Sequence, residues 1–144
     1  MSQPDVLYPI EGGCLCGAVR YRLSAAPILA LHCHCENCRR ASGAALLTWI
    51  TVDAADFQWL CGEPKRYRYD SEHYPGGVER CFCADCGSQL GWHGQPDGTV
   101  DLTAGCLDDL NLVQPRFHHF VRRELPWMRV DDGLPRHPGR ATGG

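Results

Sequence analysis

Two kinds of apolar patterning recur along this chain of 144 residues. Residues 18–23 (Ala-Val-Arg-Tyr-Arg-Leu) and 65–69 (Lys-Arg-Tyr-Arg-Tyr) alternate apolar or aromatic side chains with charges, the period of a strand with one wet face. Residues 44–52 (Ala-Ala-Leu-Leu-Thr-Trp-Ile-Thr-Val) form an apolar, β-prone run, which predicts a core strand. Shorter runs predict strands at 28–35, 58–62, 78–83, 88–92 and 99–104. Pro27 and Glu63-Pro64 cut the pattern, and turns are expected at 53–57, at Pro75-Gly76-Gly77 and at Asp97-Gly98. One helical turn fits 36–42, ended by Gly43. The predicted class is mainly β, a single domain of short antiparallel strands over residues 10–135. Residues 1–9, with Pro4 and Pro9, read as an irregular lead-in, and residues 136–144 as a disordered tail.

The length suits one domain with a modest core. A net charge of -3 with no basic block argues against a nucleic-acid partner. No apolar run is long enough to span a membrane, and Met1-Ser2-Gln3-Pro4-Asp5 lacks the start of a secretory signal, so a cytoplasmic location is expected. There disulfides are rare, which turns attention to what ten cysteines are for.

Seven of them sit in three clusters: Cys14-Leu15-Cys16, His32-Cys33-His34-Cys35-Glu36-Asn37-Cys38, and Cys83-Ala84-Asp85-Cys86-Gly87. These are metal-ligand spacings. Seven is four plus three: a structural zinc takes four protein ligands, whereas a catalytic one takes three and keeps an open position. Neighbouring i, i+2 sulfurs in a straight strand stand too far apart for one zinc. The backbone at Cys14-Leu15-Cys16 must therefore bend, and Gly12, Gly13 and Gly17 permit it. Strand alternation sends Cys33 and Cys35 to one side and His32 and His34 to the other, so the two histidines are expected to pack rather than to share that metal. A redox role for Cys83-x-x-Cys86 wants a helix after the motif, and a strand is predicted instead. Spacing alone leaves the pairing of clusters open, since Cys33, Cys35, Cys83 and Cys86 would also make a tetrad. Cys61, Cys81 and Cys106 are expected to be buried, inert thiols.

Together, Gly12-Gly13-Cys14-Leu15-Cys16-Gly17-Ala18-Val19-Arg20-Tyr21, the His32 to Arg39 stretch, Arg80 with Phe82-Cys83-Ala84-Asp85-Cys86-Gly87-Ser88, and His119-Phe120 with Trp127 resemble the glutathione-dependent formaldehyde-activating enzymes, a family that includes centromere protein V-like domains. The resemblance implies a zinc β-tent fold with two Zn²⁺ per chain. It implies Cys14, Cys16, Cys83 and Cys86 as the structural ligands, and Cys33, Cys35 and Cys38 as ligands of the open catalytic site. It further implies a carbon-sulfur lyase of the S-(hydroxymethyl)glutathione synthase type, with a small thiol and a small aldehyde as partners. Arg39 and Arg40 are candidates for a substrate carboxylate; Glu36, His34 and His119 are candidates for proton transfer. Two other readings stand beside the enzyme: a zinc-stabilised binding module without catalysis, and a thiol-redox enzyme on the same fold.

Overall fold

The computed structural model describes residues 9–94 and 98–141, and among these it contains ten strands in two sheets. The smaller sheet is antiparallel and ordered β1 (Ile10–Gly13), β2 (Arg20–Leu23), β5 (Phe57–Cys61). The larger runs β10 (His118–His119), β3 (Leu29–Cys33), β4 (Leu47–Asp53), β9 (Thr99–Thr103), β8 (Gln89–His93), β7 (Tyr74–Phe82), β6 (Lys65–Ser71). The protein is thus mainly β, built from short antiparallel strands, with one exception. Strand β10 lies parallel to β3 and puts His118 opposite His32, and His119 opposite Cys33.

Strand periodicity explains the two cores. On β4, Trp49 and Ile50 point to opposite faces, and both are buried. Ile50 and Val52 meet Tyr21 and Leu23 of β2 and Leu102 of β9 between the two sheets. Full burial of each aliphatic side chain there is worth about 1.5–3 kcal/mol. Trp49 joins Leu31, Val78, Trp92, Phe117 and Phe120 on the other face, together with Cys33, Cys35 and Cys38. The largely apolar run of β4, broken only by Thr48 and Thr51 before Asp53, suits a strand covered on both sides.

The helix α1 (Glu36–Ser42) is set by its ends. Cys35 is the N-cap, its Sγ accepting from the Cys38 N–H at 3.3 Å. Gly43, at φ 73°, donates its N–H to Arg39 O at 2.7 Å and ends the helix.

Two expectations need correction. Pro75-Gly76-Gly77 is not the turn; it lies inside β7, and the chain reverses at residues 72–73. The pairing of β6 with β7 slips between Tyr69 and Ser71, and Gly76 and Gly77, at φ 98° and 84°, absorb the irregularity. Residues 136–141 are not a loose tail either. Backbone bonds from His137 N to His118 O, from Phe120 N to Gly139 O and from Val121 N to His137 O tie this segment along β10, at 2.9, 2.9 and 3.0 Å. A Pro/Gly-rich stretch lacks a strand's side-chain pattern, yet its backbone satisfies a sheet edge equally well. Residues 1–8 of the lead-in, Asp97 of the expected hairpin turn and residues 142–144 lie outside the described residues.

Candidate metal centres

The end of β1 and the end of β7 bring four thiols together. Cys14, Cys16, Cys83 and Cys86 have their sulfurs within 4.8 Å of one another. Cys14 Sγ lies 3.7 Å from Cys16 Sγ, and Cys16 Sγ lies 3.8 Å from Cys83 Sγ. Two sulfurs bound tetrahedrally at about 2.3 Å to one zinc stand about 3.8 Å apart, so the backbone has made the bend that the spacing demanded. Gly17, at φ 80°, closes that loop through a bond from its N–H to Cys14 O. Gly87, at φ 79°, closes the other through Cys83 O. The Val19 N–H points at Cys14 Sγ (3.2 Å), which favours its thiolate against the opposing effect of burial, and the Cys86 N–H points at Cys83 Sγ (3.5 Å). Ser88 Oγ stitches the loops by accepting from the Leu15 N–H and meeting Cys86 Sγ at 3.3 Å.

A second set forms where β3 runs into α1. Cys33, Cys35 and Cys38 are all buried, with sulfurs within 4.8 Å of one another and Cys38 Sγ 3.3 Å from Cys33 Sγ. The geometry thus separates the cysteines into a four and a three, resolving the pairing that spacing left open. Cys38 receives two further donors, Trp49 Nε1–H at 3.4 Å and Arg80 Nη2–H at 3.6 Å. Hydrogen bonds from Cys33 and Cys35, with the charge of Arg80, hold Cys38 well below the ordinary thiol range against the opposing effect of burial. Cys33 is pushed well above it by its bonds to Cys35 and Cys38 and by burial. A divalent ion on three thiolates would carry one net negative charge, which the buried Arg80 guanidinium beside Cys38 would balance. Both donor sets could hold a borderline-soft cation such as zinc, one offering four sulfurs and the other three.

Beside the three cysteines is a cavity of about 50 Å³, walled by Trp49, Tyr74, Arg80, His119 and Phe120. It has room for a molecule of a few heavy atoms. Burial lowers the His119 pKa to about 4, so its imidazole is neutral at pH 7. Burial pushes the Tyr74 phenol up, which keeps it protonated. Arg80 is 6% exposed; Nε donates to Tyr69 Oη at 2.8 Å, while Nη1 is buried without a hydrogen-bond partner among the described residues. Asn37, Tyr69 and Arg80 also line a wider groove of about 430 Å³ that continues past Arg40, Tyr67 and Gln89. A depression of about 370 Å³ beside Ile28 and Val113 holds none of the cysteines.

The family profile of glutathione-dependent formaldehyde-activating enzymes matches residues 9–123. The chain belongs to this family. A candidate glutathione-dependent formaldehyde-activating enzyme of Halomonas elongata is 31% identical over 130 residues, which are 85% of this chain and 81% of that protein. A crystal structure of a Rhodobacter sphaeroides protein shares the fold with a TM-score of 0.57 at 21% identity, covering 88% of this chain and 98% of that one.

Within this family framework the remaining candidates fall into place. His32 and His34 turn away from the sulfurs, as alternation requires: the His32 ring stacks on His118 at 4.7 Å, and His34 Nε2 meets His118 Nδ1 at 2.8 Å. Arg40 pairs with Glu36 across one helical turn at 2.9 Å on the exposed side of α1, so Glu36 is engaged outside the cavity. Arg39 is half-buried, and neither it nor Arg40 walls the cavity. Of the three proton-transfer candidates, His119 alone does. Cys81 and Cys106 are pushed up by burial, to about 11 for Cys81. Cys61, expected to be buried, is exposed at the end of β5. Arg80 is the functional candidate whose role the sequence hid. It sits in an alternating strand where arginine reads as a surface residue, and only its position opposite α1 gives it a buried partner.

Proposed function

We propose that this protein is a zinc-dependent carbon-sulfur lyase that joins a glutathione-like thiol to a small aldehyde at the Cys33, Cys35, Cys38 site. The tetrad of Cys14, Cys16, Cys83 and Cys86 serves as a structural zinc site. The observation that carries the reading is the three-sulfur set facing a cavity too small for anything beyond a one- or two-carbon partner, with a wider groove leading to it. Zinc bound there would supply Lewis acidity to lower the pKa of an incoming thiol.

In the reaction the thiol sulfur donates a lone pair to the aldehyde carbon, the carbonyl π pair moves to oxygen, and the proton lost by sulfur ends on that oxygen. No electron leaves or enters, so no redox partner is needed. Arg80 Nη1, which has no partner of its own, donates to the oxygen as its charge grows. Trp49 Nε1–H and Arg80 Nη2–H hold the Cys38 sulfur in place beside the cavity, where it would serve as one of three ligands. His119, neutral at working pH, takes the proton from sulfur and returns it to oxygen. Phe120, Tyr74 and Trp49 exclude water, which would otherwise compete with the thiol by hydrating the aldehyde. The carboxylate of a peptide thiol in the groove reaches Arg40, whose exposed pair with Glu36 costs little to open.

The test is exchange spectroscopy by NMR on mixtures of glutathione and formaldehyde. Zinc-loaded protein accelerates the exchange between free and S-hydroxymethylated glutathione, and Cys38→Ser abolishes the acceleration. Exchange at the uncatalysed rate with both zinc sites filled would favour the non-catalytic binding module.

A further inference from the structure

A third cluster of ligand-type side chains lies outside both sulfur sites. His32 on β3, His118 on β10 and Asp132 on the segment after β10 each present one donor atom, all within 4.8 Å of one another. His118 Nε2 lies 2.9 and 3.1 Å from the two Asp132 carboxylate oxygens, and His32 Nε2 lies 4.0 Å from the nearer of them. The parallel pairing of β10 with β3 sets His118 directly opposite His32, which makes both Nε2 atoms face the same side.

The far nitrogens are anchored as well. His32 Nδ1 is 2.7 Å from Thr48 Oγ1, and His118 Nδ1 is 2.8 Å from His34 Nε2. Without a cation, His118 Nε2–H donates to Asp132; in the tautomer a cation selects, each Nδ1–H donates to its neighbour and both Nε2 lone pairs converge beside the carboxylate. That is the arrangement metal-binding histidines adopt, the second nitrogen fixing tautomer and ring orientation. The carboxylate is positioned too, since Asp132 Oδ1 accepts from the Leu134 N–H at 3.1 Å. His118 is fully buried, while the Asp132 side chain is 29% and the His32 side chain 18% exposed, so the cluster opens to solvent on one side.

The geometry points to a third metal site, made by His32, His118 and Asp132, which takes a divalent cation of the zinc, cobalt or nickel class through two nitrogens and one oxygen. Binding converts the His118-to-Asp132 hydrogen bond into two metal-ligand bonds. The His118 proton passes from Nε2 to Nδ1 and the His34 proton passes likewise from Nε2 to Nδ1, so that His34 Nε2 accepts from His118; no proton is gained or lost in sum and nothing is oxidised or reduced. His34 lies between Cys33 and Cys35, which makes the cation a clamp joining residue 132 to the loop that carries the three-cysteine site. The cluster stands apart from the sulfur chemistry and does not depend on the catalytic reading.

The experiment starts from protein whose two cysteine sites hold zinc, and adds cobalt(II). A third equivalent binds with the d–d absorption of a nitrogen and oxygen site and without a thiolate charge-transfer band. Paramagnetic shifts in the NMR spectrum appear on the imidazole protons of His32 and His118. Asp132→Asn abolishes the third equivalent and leaves the two zincs in place. Thr48→Val, which removes the anchor of His32, weakens binding about 10- to 100-fold. A wild-type protein that takes up no third equivalent overturns the proposal. So does a third cobalt that shows thiolate charge transfer, or one that survives Asp132→Asn.

Discussion

Replacing Arg80 by methionine separates the two jobs assigned to it. The substitution keeps most of the side-chain volume, so packing changes little. It removes a charge-assisted bond to Cys38 Sγ, worth about 1.5–3 kcal/mol, and the bond to Tyr69 Oη, worth about 1 kcal/mol. It also removes contacts of the guanidinium with the Trp49 and Tyr69 rings at 5.7 and 5.8 Å, about 0.5–1 kcal/mol each. Against these stands relief of the unpartnered Nη1, whose burial costs about 1–3 kcal/mol. The net is a destabilisation of about 0.5–5 kcal/mol, read as a lower urea midpoint at unchanged m-value. Turnover should fall further. An oxyanion donor contributes about 10²- to 10³-fold to kcat, so Arg80→Met should lose that much under conditions where circular dichroism shows it folded. Zinc content, measured on the same sample, controls for metal loss. A folded Arg80→Met protein with two zincs and wild-type kcat would refute the role in the reaction and leave Arg80 as a counter-charge alone.

Three further outcomes follow from the same structure. Cys83→Ser removes a ligand from the tetrad and should reduce bound zinc from two to one per chain by atomic absorption, with loss of cooperative unfolding, because structural zinc supplies about 10–16 kcal/mol of folding free energy. Leu102→Ala empties a fully buried position between the sheets and should cost about 2–5 kcal/mol in urea unfolding without changing zinc content. Stability should also fall in mild acid. His119 takes up a proton at about 4 when folded and at about 6.5 when unfolded, so between those values the unfolded chain holds more protons. Its contribution, about 3 kcal/mol, is therefore intact above about pH 6.5 and is lost as pH falls towards 4. His32 and His34, also lowered by burial, act in the same direction. His119→Gln should flatten the profile by one proton, and an unchanged slope would contradict the assignment.

Much of the fold was legible because strand period and cysteine spacing are local signals. The alternation in Arg20-Tyr21-Arg22-Leu23 and the two-faced run around Trp49 and Ile50 map directly onto β2 and β4. The separation of Cys33 and Cys35 from His32 and His34 followed from the same period of two. What stayed hidden depends on contacts far apart in sequence. Spacing could not choose the grouping of Cys14 and Cys16 with Cys83 and Cys86, which only the family resemblance implied, because it needs the ends of β1 and β7 to meet. The burial of Arg80 needs Cys38 and Tyr69 around it. The ordering of residues 136–141 rests on backbone bonds that leave no side-chain pattern. Pro75-Gly76-Gly77 misled for a related reason, since turn residues also serve where a strand must carry a bulge.

The account depends most on the proposal that a cation held by Cys33, Cys35 and Cys38 keeps a position open for a thiol, and cobalt substitution tests it directly. Cobalt is placed at Cys33, Cys35 and Cys38, with zinc kept in the tetrad, and glutathione is titrated while the thiolate-to-cobalt charge-transfer band is followed. A band that grows and saturates at one glutathione per chain, with heat of binding at the same midpoint, is the predicted result. A spectrum already that of four sulfur ligands, or one that glutathione leaves unchanged, would contradict it.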